Sequence, residues 1–505
     1  MRLDSALKNV KSTIIVYLLN SVLQFIVRIV FIKTLAIEYL GINGLFSDIL
    51  AVLSLAELGI GPAIVYSLYN PLALGDKKTL KSIMHIFKKA YIYIGTLILV
   101  VGFFLTFWLD FFIKGESNIH GLEYIYLLFV FDTGISYFYA YKRNLLIADQ
   151  RQYIANFYRG IFQVITGLGQ ITFLFITHSY WAFIIIKVAA TLTENFLVAK
   201  KAEDLYPFLK EKDVQPLAEN IKANIIKNVK ALFFHKLGGV AVFGTASLII
   251  AKFVGLVAVG LYSNYYLIIN SLQRIQAQIF DSITASVGNL NTLETSEKKV
   301  EVFKNLGFIT AWLSFYITVG LYVMINPLIE LWLGEKFICS TAVVNILILN
   351  FYLYCMRKPV LVFKNAMGLF WNNRYMPLFE AIINLTAGIY LAKLYGMQGA
   401  LIGITISTLL MPFWVEPYIV LKNGLDLTFK KYYVYYALFS LITFLTALGM
   451  KYLYDFIFLE NTILSFLSGV ILITVVANLI WLVIFYKTNE FKYLLKLLKD
   501  KILKN

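Results

Sequence analysis

The sequence predicts an all-α integral membrane protein of about 14 transmembrane helices: two pseudo-symmetric six-helix bundles followed by a C-terminal helical hairpin. Four observations carry this expectation. Of the 505 residues, 60% are hydrophobic and only 15% charged, with a mean hydropathy of +0.74. The apolar residues fall in runs of about 20, the length a helix needs to cross a bilayer. The basic residues alternate from loop to loop. Of the 45 Lys and Arg, 34 lie at the N-terminus, in every second loop and in the C-terminal tail, whereas the opposite loops and the span ends that border them hold 4, namely Lys114, Lys336, Lys393 and Lys451. By the positive-inside rule this asymmetry puts both termini in the cytoplasm and requires an even number of spans. It also accounts for the net charge of +16 without invoking nucleic acid. Finally, Gly44-Leu45-Phe46-Ser47-Asp48 reappears as Gly260-Leu261-Tyr262-Ser263-Asn264, an offset of 216 that also pairs Ile86-Phe87-Lys88 with Val302-Phe303-Lys304. Arg143-Asn144 and Gln152-Tyr153 match Lys364-Asn365 and Arg374-Tyr375 at offsets of 221 and 222, so the chain reads as a duplication.

In order, spans are expected at 14–36, 43–66, 91–113, 122–141, 155–177, 180–199, 232–254, 258–280, 306–328, 341–356, 376–395, 398–420, 433–454 and 462–486. Residues 1–200 form the first bundle and 232–420 the second, joined by a lysine-rich cytoplasmic linker, 201–231, that contains Pro207 and Pro216. Six spans per half give the two halves the same orientation, related by an axis along the membrane normal. Residues 433–486 form a hairpin with no counterpart in the first half. The tail, 487–505, is basic and amphipathic, with Leu494, Leu495, Leu498 and Ile502 on one side, a pattern suited to the anionic inner leaflet.

Polar residues inside the spans point to function. The first span carries Asn20, Gln24 and Arg28 at intervals of four, on one helical face. The fifth carries Asn156, Arg159, Gln163, Thr166, Gln170 and Thr177, and the eighth Ser263, Asn270, Arg274, Gln278 and Asp281, each within a narrow arc. Lys187 and Asp132 add charges to the sixth and fourth spans. Such stripes face a hydrated interior or one another, because lipid penalises them. One reading makes them interhelical glue, with seven acids in the spans against seven bases. The other makes them the lining of a wet cavity, in which arginine suits a diphosphate through its planar, permanently charged fork.

The second span is interrupted by Ala56-Glu57-Leu58-Gly59-Ile60-Gly61-Pro62. A carboxylate, two glycines and a proline inside a membrane helix cost insertion and helix free energy. Either the helix only kinks there for packing, or Glu57, Gly59, Gly61 and Pro62 form a moving element that gates or couples transport.

Enzyme chemistry has little to stand on. The sequence holds no Walker A, HExxH or Gly-x-Ser-x-Gly pattern, and its four histidines are scattered over span ends and loops. The two cysteines, Cys339 and Cys355, are not spaced for a metal or an expected disulfide.

Three strings carry a family resemblance: Glu38-Tyr39-Leu40-Gly41-Ile42-Asn43-Gly44-Leu45-Phe46, Ala56-Glu57-Leu58-Gly59-Ile60-Gly61-Pro62-Ala63-Ile64, and Arg143-Asn144-Leu145-Leu146-Ile147-Ala148-Asp149-Gln150. They resemble the polysaccharide transporter family of bacterial flippases (Wzx type), within the superfamily that includes MATE exporters and lipid II flippases. The resemblance implies a multi-pass protein of the bacterial cytoplasmic membrane that moves undecaprenyl-diphosphate-linked oligosaccharide to the outer leaflet for capsule, O-antigen or other surface polysaccharide. Its partners would be that lipid-linked oligosaccharide, membrane lipids, and a polymerase or other glycan-assembly proteins, with no nucleic acid and no cofactor beyond a coupling H+ or Na+. Lipid II flippases carry cavity arginines on their first, second and eighth spans; Arg28 and Arg274 match by span, and the second span here offers Glu57 instead. The candidate diphosphate and sugar cavity is therefore Arg28, Arg274, Gln24, Asn270, Gln278, Arg159 and Lys187, with Glu57, Gly59, Gly61, Pro62 and Asp132 as coupling or gating residues. The rivals are a cation-coupled MATE-type exporter, which would want an acid-dominated cavity, and a polytopic glycan polymerase, which would want a large external loop.

Overall fold

Apolar helices too long for a soluble core dominate the computed structural model, which describes residues 2–57, 59–115, 119–211, 214–219, 221–223, 225, 226, 229, 244–369, 372–425 and 427–502. Among the described residues ten helices are long and apolar enough to cross a membrane, matching the second, third, fifth, sixth and ninth to fourteenth expected spans. The fourth and eighth expected spans are helices too, outside those ten. The first is helical as well. Of the seventh, positions 232–243, including His235 and Lys236, lie outside the described residues. The chain is an all-α multi-pass membrane protein.

It divides into two compact units, Met1–Gly260 and Leu261–Asn505. In the first, α1 (Arg2–Thr34) packs along α6 (Gln152–Thr177), and α6 along α7 (Tyr180–Leu205). Helix α5 (Leu122–Ala148) packs on α7 and on α4 (Lys77–Leu105). The second span is two pieces. Helix α2 (Glu38–Leu53) runs into a 3-10 turn, Ser54–Glu57, and α3 (Ile60–Leu74) restarts after Gly59, whose φ of +77° is open to glycine at little cost. Gly75, at φ +68°, ends α3, and Asp76 then caps α4 by accepting the Thr79 N–H at 3.1 Å. Hydrogen bonds from Thr79 hold the Asp76 carboxyl below its usual range.

The sequence repeat places a bundle boundary near residue 232, but packing draws its line later. The reason is α8 (Ala246–Phe253), which lies on α2. The first residues of α9 (Leu256–Leu293) follow it across a Gly255 elbow with φ +125°. The described part of the segment after α7 is anchored on the first unit at several points. Tyr206 and Ile225 are buried among Leu80, Ile83, Phe87 and Leu145, Lys81 pairs with Glu211 at 2.9 Å, and Ser82 Oγ donates to the Gln215 carbonyl at 2.7 Å.

In the second unit α10 (Ser296–Leu333) is central. Against it pack α11 (Thr341–Met356), α12 (Lys358–Ala366) and the hairpin α16 (Phe429–Ile457) and α17 (Ile463–Phe485), whose Trp481 is 1% exposed among Phe308, Phe315 and Phe485. Helices α13 (Met376–Tyr395) and α14 (Met397–Leu410) form a tight pair in which a Cβ on Gly403 would fall 2.5 Å from Gly388 Cα, so only glycine permits the approach. Helix α15 (Pro412–Gly424) lies on α12. The tail is helical, as α18 (Asn489–Ile502), but its apolar side is divided: Phe491 is buried and Leu494 packed in the α10 and hairpin core, whereas Leu495 is exposed.

Candidate functional site

The break in the second span builds a pocket around one carboxylate. Because the 3-10 turn ends at Glu57 and Gly59 turns the chain left-handed, the Glu57 side chain points at α4 and α5 rather than along its own helix. The Tyr91 hydroxyl donates to Oε1 at 3.0 Å and the Tyr137 hydroxyl to Oε2 at 3.5 Å. Asn144 Nδ2 donates in turn to the Tyr91 oxygen at 3.0 Å, and the two tyrosine rings stack with centroids 6.0 Å apart. Gly61 closes the pocket, since a Cβ there would fall 2.8 Å from Glu57 Oε1 and 3.1 Å from the Tyr91 oxygen. Pro62 stands in the first turn of α3, where its missing N–H costs least. An acid held by phenols and an amide can exchange a proton or release a partner without leaving a bare charge in the bilayer. At the repeat-equivalent positions the second half carries Gln273, Gly307 and Asn365, so the carboxylate pocket belongs to the first half alone.

The fourth and sixth spans meet through polar groups. Lys187 Nζ lies 3.9 Å from Asp132 Oδ2 and 4.4 Å from the centre of the Phe129 ring. Farther along the same two helices Arg143 pairs with Glu194 at 2.7 Å and donates to Asn195 at 3.1 Å, and Asn195 donates to Ser136 at 2.9 Å. On α6 the polar stripe divides. Gln170 is buried and donates to the Phe183 carbonyl at 3.2 Å as interhelical glue, and Thr166 and Thr177 bond their own helix, whereas Arg159 is exposed. Of the first-span stripe, Gln24 is exposed and Arg28 half-buried.

In the second unit Arg274 and Gln278 are exposed on α9 and Asn270 half-buried, with Arg274 Nε donating to Asn270 Oδ1 at 3.4 Å. The densest charge there lies elsewhere. Glu416, 1% exposed, accepts Lys364 at 2.7 Å and Arg357 Nε at 3.0 Å, and Glu380 stands 3.9 Å from Arg357. Sequence reasoning assigned Arg357 and Lys364 to a loop because the tenth span was ended at Met356. The structure continues it through a bend at Arg357 into α12 and folds both bases inward. The missed signal is the repeat: Glu194 and Glu416 are separated by 222 residues, the offset that already relates the flanking strings, so Arg143–Glu194 and Lys364–Glu416 are the same pair made twice. Tyr91, Tyr137 and Asn144 were missed as well, and 34 tyrosines give no way to single out two.

No family model matches the sequence, and no curated protein matches it. Solved structures do. The lipid II flippase MurJ, in an inward closed conformation, is 13% identical at a TM-score of 0.68, covering 94% of this chain and 98% of its own. The chain has the MOP-superfamily fold. An inward-facing multidrug resistance MATE transporter of that superfamily is 12% identical at a TM-score of 0.63, covering 81% of this chain and 96% of its own. A mutant of the Vibrio cholerae MATE transporter VcmN is 16% identical at 0.56, covering 83% and 97%. Within the MOP fold the Arg28-to-Gln24 and Arg274-to-Gln278 faces, the Asp132–Lys187 pair and the Glu57 pocket are among the places where this chain departs from an apolar helix surface. The two ion pairs 222 residues apart are its internal ties.

Proposed function

We propose that the chain is a flippase that moves undecaprenyl-diphosphate-linked oligosaccharide from the inner to the outer leaflet of a bacterial cytoplasmic membrane by alternating access, with both termini cytoplasmic. Its product would feed capsule, O-antigen or other surface-polysaccharide assembly, alongside a polymerase. The observation that carries the reading is the extent of the likeness to the lipid II flippase. Coverage of 94% leaves fewer residues unmatched than the 29 of α16 and 23 of α17 together, so the likeness reaches into the appended hairpin. The MATE structures stop at 81% and 83%. Arg28 and Arg274 serve as the diphosphate contacts, each presented on a polar face with an amide one turn away, Gln24 and Asn270 or Gln278, to meet sugar hydroxyls. Arg159 and Lys187 extend the basic lining. Glu57 exchanges H+ or Na+ as Gly59 flexes, with Gly61 and Pro62 setting the restart of α3 and Asp132 as a second coupling group.

The test is genetic and chemical. Arg28→Ala and Arg274→Ala should each abolish surface glycan and raise the inner-leaflet pool of lipid-linked oligosaccharide while protein levels stay normal. Lysine should restore export only in part, because it lacks the bidentate fork. Normal export by both alanine variants would remove the diphosphate role, and efflux of cationic drugs in their place would favour the MATE-type reading.

A further inference from the structure

The start of the second span meets the α8–α9 elbow in a contact that the repeat makes reciprocal. A Cβ on Gly41 would fall 2.2 Å from the Leu256 carbonyl oxygen, and one on Gly44 would fall 2.8 Å from Val259 Cγ1. A Cβ on Gly260, the repeat equivalent of Gly44, would fall 2.6 Å from Ile37 Cγ1. Each glycine thus fits against the segment just preceding the other, the arrangement expected where two copies of one element cross about a local two-fold. Glycine at these three positions lets the two segments meet at close range, backbone against the Leu256 carbonyl and against the Val259 and Ile37 side chains.

Hydrogen bonds to one carboxylate fasten it. Helix α8 begins at Ala246, and its own N-cap residue, Thr245, makes no side-chain cap. Its first N–H groups would be orphaned at a depth where water is scarce. Asp48, on α2, supplies the acceptor: Ser247 N–H donates to Asp48 Oδ2 at 2.8 Å. A carboxylate at a helix N-terminus also meets the positive end of the helix dipole. From its other side α8 is steadied by backbone, Lys114 N–H donating to the Ala251 carbonyl at 3.0 Å.

We propose that Asp48 is a gate latch, capping α8 from the second span and holding the Gly41–Gly44 face against the elbow, and that the transport cycle requires this contact to part. The proposal rests on the alternating-access reading, in which the contact lies at the outer end of the spans. Asp48 acts as a positioning residue, with no contact to the transported molecule.

The experiment uses the full-length protein in intact cells. Ser247→Cys gives up the hydroxyl bond to Asp48 but keeps the backbone N–H bonds from positions 247 and 248, so it serves as the reference for the variants added to it, and the new thiol is covered while the crossing is shut, since Ser247 is 7% exposed. The native Cys339 and Cys355 are both buried, and the parent chain sets the background. An impermeant maleimide should label position 247 slowly. Adding Asp48→Ala should raise the rate about tenfold, the factor that corresponds to one charge-assisted hydrogen bond, whereas Asp48→Asn, whose amide oxygen still accepts the N–H, should stay within about threefold of the parent. Gly41→Ala, which leaves Asp48 untouched but wedges the crossing, should raise the rate as well. Unchanged labelling in Asp48→Ala overturns the latch. If that variant does not reach the membrane, Gly41→Ala decides, and a parental rate there overturns the gate. The same rank order appearing only in inverted vesicles would overturn the orientation and uphold the latch.

Discussion

Lys364 Nζ lies 2.7 Å from Glu416 Oε1, and at the equivalent place in the first half Arg143 lies 2.7 Å from Glu194. The two pairs do the same work, tying the fourth span of a half to its sixth, in different surroundings. Glu416 is 1% exposed and faces two bases, whereas the Arg143 side chain is 26% exposed. Glu416→Gln leaves Arg357 and Lys364 without their shared anion and should cost about 3–5 kcal/mol; Glu194→Gln, whose base reaches water, should cost about 1 kcal/mol or less. Thermal unfolding in detergent measures both. Equal shifts would contradict the difference in burial.

Gly61 and Gly59 fail differently. Gly59→Ala strains a left-handed residue by about 1–2 kcal/mol. Gly61→Ala puts a methyl where Glu57 Oε1 and the Tyr91 oxygen now lie, so it should unseat the carboxylate with little change in backbone strain. Surface-glycan assays with protein quantified in parallel should find Gly59→Ala reduced in folded yield and Gly61→Ala reduced in export per molecule. The reverse pattern would mean that the turn, not the pocket, matters.

Glu57→Gln separates coupling from packing. Glutamine offers one acceptor oxygen where the carboxylate offers two, so Tyr91 or Tyr137 loses its acceptor at a cost of about 1 kcal/mol. The protein should therefore still accumulate. In the coupling role its transport stops responding to the proton or sodium gradient. Parental transport with gradient dependence intact would reduce the pocket to a packing device.

Orientation is checked by cysteine labelling. Single cysteines at Gly334, between α10 and α11, and at Lys78, at the start of α4, fall in loops of opposite charge bias. An impermeant thiol reagent on intact cells should modify position 334 and spare 78. The opposite result would invert the molecule and move the Asp48 crossing to the cytoplasmic side.

The helical membrane architecture was legible because bilayer thickness forces runs of apolar residues and because charge sorts the loops. The duplication was legible from short similar strings at a near-constant offset. Helix breaks were read as loops at Met356, where a charged stretch of Arg357, Lys358 and Lys364 resembles a cytoplasmic turn until Glu416, some fifty residues on, is folded against it. Hydropathy sees one chain neighbourhood, and burial of an ion pair depends on two. The same limit hid the phenols around Glu57, though the Glu57–Gly59–Gly61 interruption itself stood out. Of the stripe residues, Gln170 is tied to a neighbouring helix, while Arg159 and Arg274 are exposed.

The central claim is that this MOP fold carries a diphosphate-linked glycolipid across the bilayer. Purified protein reconstituted in liposomes, with a fluorescent undecaprenyl-diphosphate oligosaccharide in one leaflet, reads this directly through a membrane-impermeant quencher. The account predicts transfer that exceeds protein-free vesicles, falls to background in Arg28→Ala and Arg274→Ala, and is not competed by a cationic drug. Transfer at the protein-free rate in vesicles shown to hold folded protein, or transfer indifferent to both arginines, would contradict it.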